Sequence, residues 1–212
     1  ISGFGNAAMA RQCRCRSWVR ISTGPSGYTG AHGLEPDLFV VGKPIAGGVP
    51  ASVWGFTDDV ARRLDHARAV TPPGHSGMGT TLSANALALA AMRATLERVM
   101  TPEAYAHTER LAGQLAAGLQ TSVSKHALPW HVVRVGARVE FICAPGPLRN
   151  GTEAEAAHAP ALERAMHLAL LNRGCLIAPF HNMMLVSPAT HETQVERLVA
   201  AFDATAALLA NG

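Results

Sequence analysis

One lysine in the sequence stands in a setting suited to nucleophilic chemistry. Lys43 follows the apolar run Leu38-Phe-Val-Val41, with Gly42 immediately before it and Gly47-Gly48 shortly after. The run predicts a buried strand, and ligands bind at the carboxyl ends of strands in open α/β sheets. A lysine amine that is partly desolvated there favours its neutral, nucleophilic form. Taken alone, however, the spacing favours an ordinary surface lysine at a strand end.

A second candidate site is a glycine-rich loop that leads into a predicted helix. The loop reads Gly77-Met-Gly-Thr80-Thr81-Leu-Ser83, and an Ala/Leu-rich stretch follows it to about Val99. Backbone amides and hydroxyls at the N-terminus of a helix form a natural anion site, which suits a phosphate. Simple N-capping by Thr81 or Ser83 explains the same residues almost as well.

The predicted elements around these residues change character near residue 100. Before it, apolar strand candidates separated by glycine-rich turns are typical of a parallel α/β sheet, and Thr57-Asp58-Asp59 predicts a helix start. After it, helices alternate with strand pairs, as in a small α+β domain. The predicted elements of this second part are a helix over 101–125, strands over 131–135 and 138–143, a loop over 146–151, a helix over 159–172, strands over 175–178 and 184–187, and a helix over 190–209.

Composition narrows the classes of protein. With 48% hydrophobic and 16% charged residues, the 212-residue chain has material for a globular core. A net charge of +3, with its 18 Lys and Arg scattered, gives nucleic-acid binding no support. No apolar run approaches the roughly 20 residues that cross a bilayer. The four cysteines (13, 15, 143 and 175) fit neither a zinc site nor a disulfide framework. We therefore expect a cytoplasmic protein without membrane or nucleic-acid partners.

Together, the two candidate sites resemble a known family. The string from Glu35 to Pro50 resembles the lysine segment of class III (fold-type I) pyridoxal-phosphate (PLP) aminotransferases, which reads Pro-Asp-Leu, apolar residues, Gly-Lys and a Gly-Gly-x-Pro turn. Gly79-Thr80-Thr81-Leu-Ser-Ala-Asn85 resembles the family's Gly-Thr-Leu-Ser-Gly-Asn-Pro stretch. The segments 174–179 and 184–191 resemble the end of the glutamate-1-semialdehyde aminomutase branch. The resemblance runs from about residue 23 to 210.

The resemblance implies a fold, a cofactor and roles for individual residues. It implies the C-terminal half of a fold-type I enzyme: an anomalous segment over 1–22, part of the large parallel-sheet domain over 23–100, and a small α+β domain over 101–212. Lys43 would hold PLP as a Schiff base and move a proton as general base and acid. Thr81, or Thr80 if the register slips by one, would bind the cofactor phosphate from the neighbouring subunit of a homodimer. The implied activity is an aminotransferase or aminomutase acting on a small amino acid or amino-aldehyde.

The chain departs from the family pattern in two places. The family aspartate that pairs with the pyridine nitrogen counts back to Cys15, in a segment rich in Arg and Cys, and no acidic residue occurs from position 1 to 34. True divergence and a reading-frame shift upstream of about residue 21 both explain this, and we favour the shift. The family's C-terminal arginine is missing from Met183 to Ser187, which favours the aminomutase-like or β-amino-acid-like branch.

Two alternatives to an enzyme remain open. In the first, the chain is an inactive remnant that serves at most as a binding or structural module. In the second, Lys43 and the Thr81 loop form an unrelated phosphate site. Other residues receive ordinary interpretations. His32, His75 and His181 are expected in loops or on the surface, the Met183-Met184 pair in the core, and Cys143 and Cys175 as buried small apolar groups.

Overall fold

The computed structural model describes residues 22–72, 74, 82–178 and 182–210. The chain separates into two compact units, with the boundary between Pro102 and Glu103. We call the described part of the first, 22–102, the N-terminal unit, and that of the second, 103–210, the C-terminal unit.

The N-terminal unit is built on a β-hairpin. Strands β1 (Leu38–Gly42) and β2 (Ser52–Phe56) pair antiparallel, and a 3₁₀ turn (Lys43–Ala46) follows β1 directly. Helices α1 (Gly27–Ala31), α2 (Asp58–Ala69) and α3 (Ala86–Arg98) complete the unit. The turn packs against α3, so the short buried core of this unit lies between them, at Ile45, Ala46 and Ala88.

The sequence predicts buried strands of a parallel sheet here, whereas β1 and β2 pair antiparallel with each other and are largely exposed. The connection over 43–51 is shorter than the dozen or more residues that a parallel crossover needs, so the strands return antiparallel. Both carry large exposed side chains, with Leu38 58%, Val40 49% and Trp54 46% exposed. Within the described residues, the hairpin is a two-stranded sheet of its own.

The helix starts of this unit follow local capping chemistry. The predicted start at Thr57 is confirmed: its hydroxyl accepts a hydrogen bond from the Val60 amide, and Asp58 and Asp59 occupy the first turn. Acidic groups there complement the positive end of the helix dipole. Helix α3 begins later than predicted because Asn85 is its cap and accepts from the Ala88 amide at 2.9 Å. The capping role considered for Thr81 or Ser83 therefore belongs to Asn85.

The C-terminal unit packs helices against a three-stranded antiparallel sheet. Its sheet order is β3-β4-β5, in chain order. The elements are α4 (Pro102–Lys125), β3 (His131–Val135), β4 (Arg138–Ile142), α5 (Gly151–Ala156), α6 (Pro160–Asn172), β5 (Met183–Leu185) and α7 (Glu192–Ala210). The core contains fully buried side chains from α4, β4, α6 and α7: Leu111, Leu115, Leu119, Phe141, Met166, Leu170 and Phe202. The long helices α4, α6 and α7 and the strands β3 and β4 lie close to their predicted ranges.

Helices α4 and α7 are joined by a close packing contact and by ion pairs, among them Arg110 with Glu192. A β-carbon built on Gly118 would lie 2.7 Å from a methyl group of Val199, so the glycine permits the close approach of the two helices. At the end of α4, Lys125 and His126 both bind the carboxylate of Asp203. This unit therefore has a dense interior, in contrast to the exposed hairpin of the N-terminal unit.

Several smaller predictions have mixed outcomes. Met183, Met184 and Cys175 are buried and Cys143 is half-buried, as expected of small or apolar core groups. The strand predicted over 175–178 is reduced to one bridge, between Ala178 and Met183. Helix α5 was not predicted. His32 is exposed at the end of α1, whereas His75 and His181 lie outside the described residues.

The described residues contain neither a cluster that could hold a metal ion nor a helix that could cross a membrane. No group of three His, Cys, Asp or Glu side chains is placed to hold a metal ion among the residues of the described ranges. The helices of these ranges include none that is long and apolar enough to cross a bilayer.

Candidate functional site

The backbone of Lys43 has an unusual conformation. Lys43 is the first residue of the 3₁₀ turn, and its side chain is exposed. Its φ of 56° lies in the left-handed region, which costs an L-residue with a β-carbon roughly 1–2 kcal/mol. Residues with such strain persist where the surroundings hold them, and they concentrate at ligand and active sites. Ala84, Ala127 and Asn182 share this feature, so it supports Lys43 as a site residue only together with the sequence motif.

Two glycine contacts lie at the two ends of the turn. At the start, a β-carbon on Gly42 would come within 3.1 Å of the Ser52 β-carbon and 3.2 Å of the Ala51 carbonyl oxygen. At the end, Gly47 caps the turn with φ 58°, and a β-carbon there would lie 3.2 Å from Thr95 Oγ1. Larger residues at either position would press on a neighbour, so both glycines allow the turn to sit close to β2 and α3.

The middle of the turn is anchored on helix α3. Ile45 and Ala46 are 3% and 1% exposed, and α3 turns the small residues Ala88 and Thr95 inward. These two residues lie seven positions apart, which places them on the same face of a helix. Small side chains on that face let the turn approach closely. The turn is therefore buried on the helix side, while Lys43 itself projects outward.

Thr95 is a part of this arrangement that sequence analysis missed. Its hydroxyl donates to the Ala91 carbonyl at 2.9 Å, so the buried polar group is satisfied inside its own helix. Its own carbonyl accepts from the amides of Val99 and Met100, each at 3.0 Å. The helical spacing from Ala88 was the available signal, but only the fold reveals that Gly47 lies against this face.

The other predicted site residues have different outcomes. The partial burial expected for Lys43 is not found, because its side chain is exposed in the described residues. Thr80 and Thr81 lie outside the described residues, as does Cys15. The structure thus describes the lysine of the predicted site and its support, and the predicted phosphate-binding residues remain a prediction.

The residues present fit the cofactor implied by the resemblance at the lysine. An exposed amine on a strained turn, with Gly47 and Gly48 beside it, combines a reactive group with backbone that a ligand can approach closely. Lys43 is therefore the residue that would hold such a group. The chain supplies no acidic residue over 1–34 for the ring nitrogen.

Comparisons with known proteins agree with the motif. The family model for class-III aminotransferases matches residues 21–205. Glutamate-1-semialdehyde 2,1-aminomutase 2 from Bacillus thuringiensis (strain Al Hakam) is 32% identical over 174 residues, which is 81% of this chain and 38% of that protein. The same protein from Bacillus cereus (strain B4264) matches equally.

Solved structures give the same result. A glutamate-1-semialdehyde aminomutase from Pseudomonas aeruginosa PAO1 is 49% identical, with a TM-score of 0.83 over 89% of this chain and 42% of that one. A lysine-to-alanine variant of a glutamate-1-semialdehyde aminomutase from the same strain, in complex with PMP, is 48% identical, with the same TM-score and coverage. A β-phenylalanine aminotransferase from Variovorax paradoxus is 27% identical, with a TM-score of 0.74 over 88% of this chain and 42% of that one.

These matches establish the family and its fold class. The chain spans about two fifths of the length of the relatives it matches. The described units correspond to part of a fold-type I PLP transferase, which confirms the fold class expected from the sequence. PLP is the cofactor of these enzymes. The chain belongs to the class-III aminotransferase family.

Proposed function

We propose that this chain is the cofactor-lysine part of a PLP-dependent aminotransferase or aminomutase, and that Lys43 is its catalytic residue. The observation that carries the proposal is the left-handed Lys43 on a turn held between Gly42 and Gly47, in a chain of this family. The exposed side chain lies where a ligand can reach it, and left-handed backbone concentrates at ligand sites, so both features support the motif.

Lys43 has two tasks under this proposal. Its amine would hold the cofactor, and it would act as general base and acid toward the substrate carbon. PLP supplies an electron sink for the negative charge that develops on that carbon. The exposed position lets the amine reach a group outside the N-terminal unit.

Thr81 is proposed to bind the cofactor phosphate, with Thr80 as the neighbouring candidate. Support comes from the resemblance of the segment 79–85 to the family loop. In this family the contact is made to the cofactor of the neighbouring subunit, so the proposal includes a homodimer. A cytoplasmic location is part of the same proposal.

The substrate proposed is a small amino acid or amino-aldehyde of the aminomutase or β-amino-acid type. The segment from Met183 to Ser187 carries no arginine, and Met183, Met184 and Val186 are buried side chains that belong to the core. This segment therefore offers no cation for an α-carboxylate. The named relatives include aminomutases and a β-phenylalanine aminotransferase, which supports the same branch.

A second candidate is an inactive remnant that acts at most as a binding or structural module. The family match begins at residue 21, and no acidic residue occurs over 1–34. Both observations support a break in the family sequence near the predicted frameshift. Translation of the other two reading frames across residues 1–22 tests this directly: an Asp-Glu-Val-like motif in either frame supports the remnant, and its absence supports divergence.

Amino-group transfer by the purified chain separates the two candidates. With added PLP, the wild-type chain should convert a panel of α- and β-amino acids to carbonyl products, measured by chromatography. Lys43→Ala should abolish the conversion, whereas Lys125→Ala, which changes the other lysine of the chain, should retain it. Cofactor attachment without product formation favours the remnant. Binding of phosphate esters without attachment favours an unrelated phosphate site.

A further inference from the structure

We infer that Thr95, on helix α3, is a positioning residue that holds the turn carrying Lys43; this inference rests on the function proposed for Lys43. The hydrogen bond that closes the turn, from the Gly47 amide to the Pro44 carbonyl, is long at 3.5 Å. A bond of this length holds the end of the turn weakly. The end of the turn therefore also depends on the residues packed against it.

Thr95 supplies the support at the far end of the turn. Its Oγ1 lies 3.2 Å from where a β-carbon on Gly47 would stand, and its side chain is 9% exposed. The turn packs against α3 at this point, so Thr95 limits how far the chain at Gly47 can approach the helix. Gly47 has φ 58° and reverses the chain at this contact. The position of Thr95 Oγ1 thus limits where the chain can leave the turn.

The oxygen of Thr95 is itself fixed. Because its hydroxyl donates to the Ala91 carbonyl at 2.9 Å, the side chain is restricted in rotation about its χ1 angle. The contact with Gly47 is therefore made by an oriented oxygen on the last turns of α3. Truncation to alanine removes that oxygen and leaves a gap between helix and turn.

Lys43 lies between this contact and the close approach of Gly42 to β2. With both contacts in place, the turn has little freedom and Lys43 stays at φ 56°. Once the Thr95 contact is lost, the turn can relax toward ordinary negative φ, which redirects the side chain of Lys43. The amine then spends less time in the orientation that binds the cofactor.

Hydrogen exchange measured by NMR on the full chain, without cofactor, tests the support itself. The amides of Gly47 and Val49, which donate within the turn, should exchange about fivefold faster in Thr95→Ala. Thr95→Ser keeps the oxygen and should exchange like wild type. Thr95→Val keeps the volume against Gly47 without the hydroxyl, so it should also exchange like wild type if packing supplies the support. Thr205→Ala is the matched control, since Thr205 is buried and its hydroxyl donates to the Ala201 carbonyl at 2.8 Å.

Cofactor attachment tests the consequence. The PLP concentration that half-saturates Lys43, measured by borohydride reduction and peptide mass, should rise about threefold or more in Thr95→Ala and stay unchanged in Thr95→Ser and Thr205→Ala. Unchanged exchange and unchanged half-saturation in Thr95→Ala would overturn the role of Thr95 and leave Lys43 as proposed. If wild type attaches no PLP at Lys43, the proposed function fails and Thr95 has no catalytic group to position.

Discussion

Lys125 donates a hydrogen bond from its Nζ to Asp203 Oδ2 over 2.7 Å and so ties the end of helix α4 to helix α7. His126 contacts the other oxygen of the same carboxylate, with its Nε2 2.9 Å from Oδ1. Lys125 and Lys43 are the two lysines of the chain. One is held in an ion pair in the C-terminal unit, and the other is presented on a strained turn in the N-terminal unit. Lys125 therefore serves as the control for Lys43 in experiments that label or replace a lysine.

The carboxylate of Asp203 should make stability depend on pH in acid. Hydrogen bonds from Lys125, and then from His126 and Ser122, hold the pKa of Asp203 below its ordinary value. Because the folded pKa is the lower one, the stabilisation is present above about pH 4 and is lost as the pH falls through the folded pKa. Asp203→Asn should flatten the urea midpoint between about pH 5 and about pH 2. Glu196→Gln, an exposed change on the same helix, should retain the wild-type slope; equal slopes for wild type and Asp203→Asn would refute the assignment.

Cys143 should be an unreactive thiol. Burial, and then the negative charge of Glu163, raises the pKa of Cys143 to about 12. At pH 8 we expect iodoacetamide to label it at least about tenfold more slowly in the native chain than in urea, by peptide mass. Fast native labelling would show that the thiol is accessible and ionised.

The raised pKa of Cys143 should also make the folded chain less stable in alkali. Since the folded pKa lies above the unfolded value, the stabilisation is complete below about pH 8.5 and is lost as the pH rises toward 12. Cys143→Ala removes the ionising group, so its urea midpoint should fall less over that range. A parallel fall in both proteins would assign the alkaline loss to other groups.

The contact between helices α4 and α7 should tolerate no side chain at Gly118. A β-carbon there would lie 2.7 and 2.9 Å from the two methyl groups of Val199, so Gly118→Ala should lower the free energy of unfolding by about 1–3 kcal/mol. Gly113→Ala lies on the same helix with nothing within 4 Å of the new carbon, and should be neutral or stabilising by up to about 1 kcal/mol. Urea denaturation measures both. Equal effects would mean that the helices are not in close contact at Gly118.

Gly42 should be as restrictive in the hairpin that carries Lys43. A β-carbon would meet Ser52 at 3.1 Å and the Ala51 carbonyl oxygen at 3.2 Å, whereas one on Gly55 would meet nothing within 4 Å. Gly42→Ala should therefore separate the strands and weaken PLP attachment at Lys43, while Gly55→Ala should leave attachment intact. The half-saturating PLP concentration is the measurement. Equal half-saturating PLP concentrations for the two variants would show that the close approach at Gly42 does not affect attachment at Lys43.

Much of the C-terminal unit could be predicted because its patterns are local. Helix α4 has a capping Thr-Pro-Glu start and a sustained apolar period, and β3 and β4 are short apolar-rich runs around a turn at Gly136. Helix α5 also has a sequence signal. The Asn150 side chain accepts a hydrogen bond from the Glu153 amide, and the Glu153 carboxylate accepts one from the Arg149 amide. That Asn-x-x-Glu pattern is typical of a helix start, although the polar, Gly- and Pro-containing sequence around it favours a loop.

The geometry of the candidate site could be predicted only in part. The motif identifies Lys43, but the neighbours of its turn, Ser52 and Thr95, approach Gly42 and Gly47 only after folding. The local sequence contains no signal that predicts a left-handed backbone at a lysine. The antiparallel pairing of β1 and β2 follows from the short connection between them, whereas the apolar character of both strands indicated burial.

Peptide mapping of the borohydride-reduced chain with PLP tests the central claim most directly. The two lysines fall in separate peptides, so a covalent cofactor can be assigned to one of them by mass. The account predicts that the cofactor mass appears on the peptide of Lys43, with Lys125 unmodified at the same PLP concentration. Equal modification of Lys125, or none at Lys43, would contradict it.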